Sequence, residues 1–220
     1  MVQVLGQLLP LALVVALSTV PLLVVITILL APGSAASSLT FLIGWPIGML
    51  AAVALFYLGA NLIPGPFLLR NRPVLGWAEI VLGLLVVIIG IVQFRRTRGR
   101  SPKPPAWIGS VGRVRPAAAF GIAIALCFRP KALLLSSAAA IIIGASRVEG
   151  IGALVVILIF VALSASSVVV PIIAMRLRPD AMRRPLQSAE AWIVRNSRAV
   201  TLVAASFAGV FIIGHGMTQL

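Results

Sequence analysis

Two cations and a proline stand together in the middle of an apolar run. Arg129, Pro130 and Lys131 lie between Ala117 and Ala145, in a stretch long enough to cross a membrane. A cation at the centre of a bilayer costs about 2.5–3.5 kcal/mol on insertion scales, so such residues usually belong to a site or a pathway. Proline lacks a backbone donor and clashes with the preceding turn, so it should break the helix here. The pattern predicts a cationic break inside a membrane helix.

The chemistry that this break offers is anion binding. A helix that starts near Pro130 presents unpaired N–H groups and the positive end of its dipole, and Arg129 and Lys131 add full charge. No acidic residue lies at predicted membrane depth, so we expect the partner to be a carboxylate, phosphate or sulfate from outside the fold. The four acidic residues of the chain, all near span ends or in a loop, are Glu79, Glu149, Asp180 and Glu190. A structural role stays open, in which the two cations snorkel to the interface or bond carbonyls freed by the break.

Catalytic and metal chemistry is not indicated. The only histidine, His215, has no carboxylate near it in sequence, and the only cysteine, Cys127, excludes a disulfide framework and a Cys-rich metal site. No paired carboxylates and no nucleophile–base arrangement are recognisable. The Asp/Glu/His relay of an ordinary proton-coupled antiporter is also missing from the predicted spans. We expect no enzyme activity, no metal and no cofactor.

Composition identifies the chain as an integral membrane protein. Its 220 residues are 61% hydrophobic with a mean hydropathy of +1.16. Charged residues make up 10% of the chain, against about 25% in soluble domains. The net charge of +14 could suggest nucleic-acid binding, but Lys and Arg also collect in cytoplasmic loops of membrane proteins. We favour that topological interpretation and expect no nucleic-acid partner.

Six apolar runs have the length of a membrane span, which needs about 20 helical residues. They are residues 8–31, 39–60, 77–94, 117–145, 151–175 and 199–217. The first run lacks a basic leader and is too long for a signal peptide, so we interpret it as a retained span. Between the last two runs, Leu186 to Asn196 is predicted to form a short interfacial helix that carries Trp192. Trp45, in the second run, is interpreted as part of an interfacial tryptophan belt.

Basic residues orient the predicted bundle. The 95–116 and 176–198 segments lie on one side and together hold thirteen basic residues, while the other side holds Arg70, Arg72 and Arg147. This bias places the two long basic segments in the cytoplasm and both termini outside.

A weak internal repeat places a second break in the first span. At an offset of 109 residues, Ser18-Thr19-Val20-Pro21 lies over Cys127-Phe128-Arg129-Pro130. Each match falls in the first span of a set of three. Because three is odd, the two sets must cross the membrane in opposite directions, as in many secondary transporters. The pattern predicts an all-α polytopic protein of two inverted three-helix repeats, 1–94 and 117–220, joined by a basic linker at 95–116.

The two breaks should meet at one site. From Ala117 to Pro130 the helix rises about 20 Å, close to the centre of a hydrocarbon core about 30 Å thick, and Pro21 has the same depth from the other face. Small polar residues in the spans would add neutral hydrogen bonds, although many serve only as helix-packing contacts. The predicted substrate-binding residues are Arg129, Lys131, Pro130, Ser18, Thr19, Pro21 and Ser164.

These features resemble the LysE-type exporter superfamily, whose six spans form two inverted halves that each open on a Pro-broken helix. Arg129-Pro130-Lys131-Ala132 is similar to the Asn-Pro-Lys-Ala element of its second half, with Arg in place of Asn. Thiol–disulfide carriers of the same superfamily have a Cys-x-x-Pro in each half. Here Ser18 replaces one of the two cysteines, so no thiol pair can form and that branch is excluded.

A closer resemblance is to the actinobacterial GAP family of glycolipid- or sulfolipid-addressing proteins. It rests on Leu8-Leu9-Pro10-Leu11-Ala12-Leu13 with Ser18 and Pro21, on Phe41-Leu42-Ile43-Gly44-Trp45, and on Arg129-Pro130-Lys131. The resemblance implies a plasma-membrane protein that helps to move complex glycolipids to the cell envelope, beside a larger lipid transporter. We therefore predict a transporter, or a transport accessory, for a polar or anionic lipid. Export of a small amino acid or ion, and a non-transporting scaffold that binds a partner through the 95–116 linker, stay open, and so does a homo-oligomer.

Overall fold

The computed structural model describes residues 2–62, 72–97, 111, 114–146, 148 and 150–218. Within these ranges the chain is helical and contains no strand. Residues 63–71, between the second and third predicted spans, and most of the 95–116 linker lie outside the described residues. The helices are α1 (Val2–Ala16), α2 (Thr19–Leu30), α3 (Ala35–Leu62), α4 (Arg72–Thr97), α5 (Pro116–Cys127), α6 (Pro130–Ala145), α7 (Ile151–Leu177) and α8 (Pro179–Met217).

The predicted apolar runs correspond to four long helices and two bent pairs. α3, α4, α7 and α8 are each long and apolar enough to cross a membrane. α1 and α2 meet at a bend of 51°, and α5 and α6 meet at a bend of 62°. Each bent pair is long enough for one further span, so the described chain has four to six candidate spans.

Both breaks are made by one extended residue at the start of the second half-helix. Ser18 has φ −67° and ψ 116°, and Arg129 has φ −72° and ψ 149°. Extended backbone is what a residue before proline prefers, so Pro130 accounts for Arg129. Pro21 instead lies inside the first turn of α2, where a missing N–H is tolerated. The break therefore precedes Pro21 by three residues.

The two breaks do not coincide in the register that the sequence predicted for an internal repeat. The sequence aligned Pro21 with Pro130 at an offset of 109, whereas the two extended residues, Ser18 and Arg129, are 111 residues apart. The proline match is therefore shifted by two residues from the structural match. In the structural register, the neutral Ser18 of one break corresponds to the cationic Arg129 of the other.

Helix pairing joins the two predicted halves of the chain. α4 packs along α8, α3 along α5, and α1 along α7. Glycine allows the backbones to approach closely in the first two pairs: a Cβ on Gly83 would lie 2.7 Å from the carbonyl oxygen of Gly209, and one on Gly48 would lie 3.0 Å from Cys127 Sγ. Cys127 is buried and donates from Sγ to the Ala123 carbonyl at 3.4 Å, so it belongs to this packing.

α8 differs from its prediction. The segment 186–196, predicted as a separate interfacial helix, is continuous with the last span in one helix of 39 residues, about 58 Å long. Its first half packs against α2, with Thr27 Oγ1 donating to Glu190 Oε1 at 3.3 Å. Leu186 and Ile193 are buried on that part of the helix. Tertiary packing, which a hydropathy profile does not report, extends this helix.

Candidate functional site

The two breaks meet at a cavity between the helices. The cavity has a volume of about 50 Å³ and is lined by Ser18, Thr19 and Pro21 from the first break and by Arg129 and Lys131 from the second. Apolar residues of α1, α5 and α6 complete much of the wall. The prediction that the two breaks come together is therefore confirmed for these five residues.

The starts of two half-helices face this cavity. α2 begins at Thr19 and α6 at Pro130, and neither has a side-chain cap. The first N–H groups of a helix have no partner within the helix, and the helix dipole places partial positive charge at the same end. Two such helix ends at one cavity create a positive electrostatic potential there from the backbone alone.

Arg129 and Lys131 add two full charges to that environment. Arg129 is exposed and Lys131 is half-buried, so Arg129 lies nearer the rim. Neither forms an ion pair or a hydrogen bond with another described residue. Of the described acidic residues, Glu79 contacts His215, Glu190 accepts from Thr27, and Asp180 is exposed at the start of α8. The described residues therefore provide no counter-ion at the site.

Trp45 supplies a further donor, and its predicted position is wrong. It was interpreted as part of an interfacial belt, but it is 2% exposed, lies between α3 and the cavity, and stacks on Phe41 with ring centroids 6.2 Å apart. Its Nε1 has no hydrogen-bond partner among the described residues. An indole N–H can only donate, and leaving it unpaired costs about 1–3 kcal/mol. Trp45 lines the cavity, and an acceptor that reached Nε1 would remove that cost.

Neutral polar groups complete the wall. The hydroxyls of Thr19 and Thr201 are 3.5 Å apart, and Gln93 of α4 also lines the cavity. Thr201 and Gln93 were not among the residues that the sequence predicted for the site. Each is an isolated polar side chain in an otherwise apolar run, and that signal could have identified them.

Two predicted site residues lie elsewhere. Ser164 is fully buried in α7 with no hydrogen-bond partner among the described residues, but it does not line the cavity. Pro130 lines a separate apolar groove on the other side of α6. Pro130 therefore shapes the break and does not form the cavity wall.

Glu79 and His215 form a polar pair that the sequence did not reveal. Glu79 Oε2 lies 2.6 Å from His215 Nδ1, and Glu79 is 1% exposed. The pair links α4 to α8 over 136 residues of sequence. No carboxylate lies near His215 in sequence, and the fold brings Glu79 to it from a distant span. Neither residue lines the cavity, so the pair connects the two helices away from the candidate site.

Comparison with known proteins identifies the family of this chain. A family model described as Sap, sulfolipid-1-addressing protein, matches residues 8–218, a range that includes both breaks and every described cavity residue. No curated protein and no solved structure matches the chain. The match covers nearly the whole sequence and agrees with the family that the sequence motifs predicted. The chain belongs to the sulfolipid-1-addressing protein family.

Proposed function

We propose that this protein binds the anionic group of a polar lipid in the cavity between its two broken helices, and that it transports this lipid or assists its transport. The family description points to a sulfolipid. The observation that carries the proposal is the joint placement of two uncapped helix starts and two unpaired cations at one cavity, whose wall also includes Trp45. Every one of these groups attracts or donates to an anion.

The size of the cavity limits what enters it. A cavity needs roughly 10–15 Å³ to hold one water molecule, so about 50 Å³ accommodates a small group such as a sulfate and not a whole glycolipid. The remainder of a lipid must stay outside the cavity. The same volume favours a second candidate, export of a small anionic solute.

Charge balance supports a transported anion. Two cations at membrane depth are costly when they have no counter-ion, because hydrocarbon cannot solvate them. A sulfate or phosphate between Arg129 and Lys131 forms charge-assisted hydrogen bonds, which are roughly twice as strong as neutral ones. Binding therefore lowers the cost of keeping these side chains inside the protein, and a neutral lipid gives no such gain.

Helix pairing supports an inverted repeat with six spans. α3 pairs with α5 as α1 pairs with α7, while α4 and α8 pair with each other. If each helix of the predicted half 1–94 is exchanged with its counterpart in 117–220, α3–α5 becomes α7–α1 and α4–α8 becomes α8–α4. The same set of helix pairs results. We propose both termini outside and the 95–116 linker inside a bacterial plasma membrane, as the distribution of basic residues favours. In this arrangement the protein acts without catalysis, by opening the cavity to alternate sides.

The test replaces both cations of the cavity, and the control removes two positive charges elsewhere on the protein. Arg129→Gln with Lys131→Gln should reduce the anionic lipid at the cell surface at least tenfold at equal protein level, because each lost charge-assisted hydrogen bond contributes about 1.5–3 kcal/mol. The control, Arg183→Gln with Arg184→Gln, removes the same charge from exposed positions on α8. Unchanged surface lipid in the cavity variant, or equal loss in both, would contradict the proposal.

A further inference from the structure

An apolar groove lies directly against the candidate site. Its volume is about 520 Å³, and it is lined by residues of α3, α4 and α6, namely Phe56, Leu82, Leu85, Ile89, Pro130 and Leu134, among others. Ser137 is its one polar residue, and that hydroxyl donates to the Leu134 carbonyl at 2.9 Å. The groove therefore offers no unsatisfied polar group and suits hydrocarbon.

The groove opens sideways because α3 and α4 are separated from each other. α7 and α8 pack against each other, whereas α3 and α4 make almost no direct contact along the described residues. α6 packs against both α3 and α4 and forms the floor between them. Leu85, on the groove wall, is 41% exposed. In a membrane, this gap faces the lipid chains.

The groove ends where the cavity begins, along two helices. On α6, Pro130 lines the groove while its neighbours Arg129 and Lys131 line the cavity. On α4, Ile89 lines the groove, and Gln93, one turn further, lines the cavity. A molecule can therefore have one end in the cavity and continue into the groove around the start of α6.

We infer that the groove holds a hydrocarbon chain of the same lipid whose anionic group occupies the cavity. The inference rests on the proposed function. It assigns the substrate to the class of amphiphiles that join one anionic group to a long alkyl or acyl chain. From Pro130 to Ser137 the groove is about 10 Å long, so it takes the part of the chain nearest the anionic group and leaves the rest in the bilayer.

The groove explains how the headgroup of a lipid could reach a site near the centre of the bilayer. A headgroup can reach a site near the bilayer centre only if its chain bends away into an apolar space. Lipid chains are as apolar as the leucines of the groove, so the groove adds little affinity over the bilayer. Its role is to admit the chain while the anionic group is bound, and filling it should therefore exclude long-chain ligands alone.

The experiment compares two neighbouring leucines of α4. Leu85→Trp fills the groove, and Leu84→Trp is the control, since Leu84 is 51% exposed and does not line the groove. The probes are hexadecyl sulfate and inorganic sulfate, added to the full chain purified in a neutral detergent. Binding of hexadecyl sulfate is measured by native mass spectrometry. Occupancy of the cavity by either probe is measured as protection of Lys131 from an amine reagent, with Lys103, the only other lysine, as reference.

Leu85→Trp should weaken hexadecyl sulfate binding about tenfold, equivalent to about 1.4 kcal/mol of strain, and leave protection by inorganic sulfate within about twofold. Leu84→Trp should change neither. Ser137→Leu fills the same groove from α6 and should repeat the result if Leu85→Trp is poorly folded. If the Leu85 and Leu84 variants bind hexadecyl sulfate equally and inorganic sulfate still protects Lys131, the groove does not hold the chain. The anion site in the cavity is then unaffected. If neither probe protects Lys131 in the unaltered protein, the anion site fails and the groove inference falls with it.

Discussion

The contact between α4 and α8 gives a sharp prediction about the packing that holds the site together. Gly83 and Gly209 face each other where the two helices cross, and a Cβ on Gly209 would lie 2.7 Å from the Gly83 carbonyl oxygen and in closer contact with Val87 Cγ2. Ordinary carbon–oxygen contacts are about 3.3–3.6 Å. The carbonyl belongs to the backbone and cannot rotate away, so Gly209→Ala must push the two helices apart.

The magnitude follows from two opposing terms. Overpacking costs about 1–3 kcal/mol, while the higher helix propensity of alanine returns up to about 1 kcal/mol. Gly214, on the same helix, has no atom within 4 Å of an added Cβ, so Gly214→Ala receives only the favourable term. The difference in free energy of unfolding between the two variants should therefore be about 1–3 kcal/mol, with Gly209→Ala the less stable.

Thermal unfolding of both variants in one detergent measures this difference. For a chain of this size, about 1–3 kcal/mol corresponds to about 2–12 °C in Tm. Gly209→Ala should also weaken lipid binding, because α4 and α8 carry Gln93 and Thr201 to the cavity. Equal Tm values for the two variants, or a more stable Gly209 variant, would refute the close backbone contact.

Three further substitutions test separate parts of the structure. Pro130→Ala frees the preceding residue from its extended preference, so α5 and α6 should tend to join, and lipid retention should fall at unchanged protein level. Trp45→Phe removes an unpaired buried donor and keeps the ring stack, so unfolding should show no loss of stability while affinity for an anionic ligand drops about fivefold, as expected for one hydrogen bond of about 1 kcal/mol. Loss of stability with unchanged affinity would contradict the role assigned to Nε1. Glu79→Ala should destabilise the fold by about 1–3 kcal/mol, because it removes a buried hydrogen bond to His215, whereas Glu79→Leu with His215→Leu should recover most of that loss; equal stability of the single and double variants would show that the pair is not coupled.

The sequence indicated which residues of the two breaks lie together better than it indicated the packing around them. Arg129 and Lys131 were recognisable because a cation in an apolar run is costly and rare. Ser18, Thr19 and Pro21 followed from the internal repeat. These signals are local, and the structure brings all five residues to one cavity.

What the sequence did not predict depends on contacts between distant segments. Glu79 and His215 are 136 residues apart, and no local pattern pairs them. Tryptophan is a residue type that is typical of interfacial belts. Gly44 and Gly48 bring α3 close to α5, however, and the Trp45 ring is buried in the protein. Ser164 is polar and central in its span, yet α7 does not present it to the cavity. The extent of α8 is set by its packing on α2.

The repeat register shows why a sequence match alone misplaces a break. Proline is tolerated anywhere in the first turn of a helix, so Pro21 and Pro130 mark the same turn without marking the same residue. The extended residues Ser18 and Arg129 define the structural match. Their chemistry differs, and the site is cationic on one half and neutral on the other.

Mass spectrometry of the lipids retained on the purified protein tests the central claim most directly. The unaltered protein should carry anionic lipids enriched over those of its membrane, and Arg129→Gln with Lys131→Gln should lose that enrichment. Arg183→Gln with Arg184→Gln should keep it. Retained lipids that match the membrane composition in the unaltered protein, or that are the same in all three proteins, would contradict an anion site between the two broken helices.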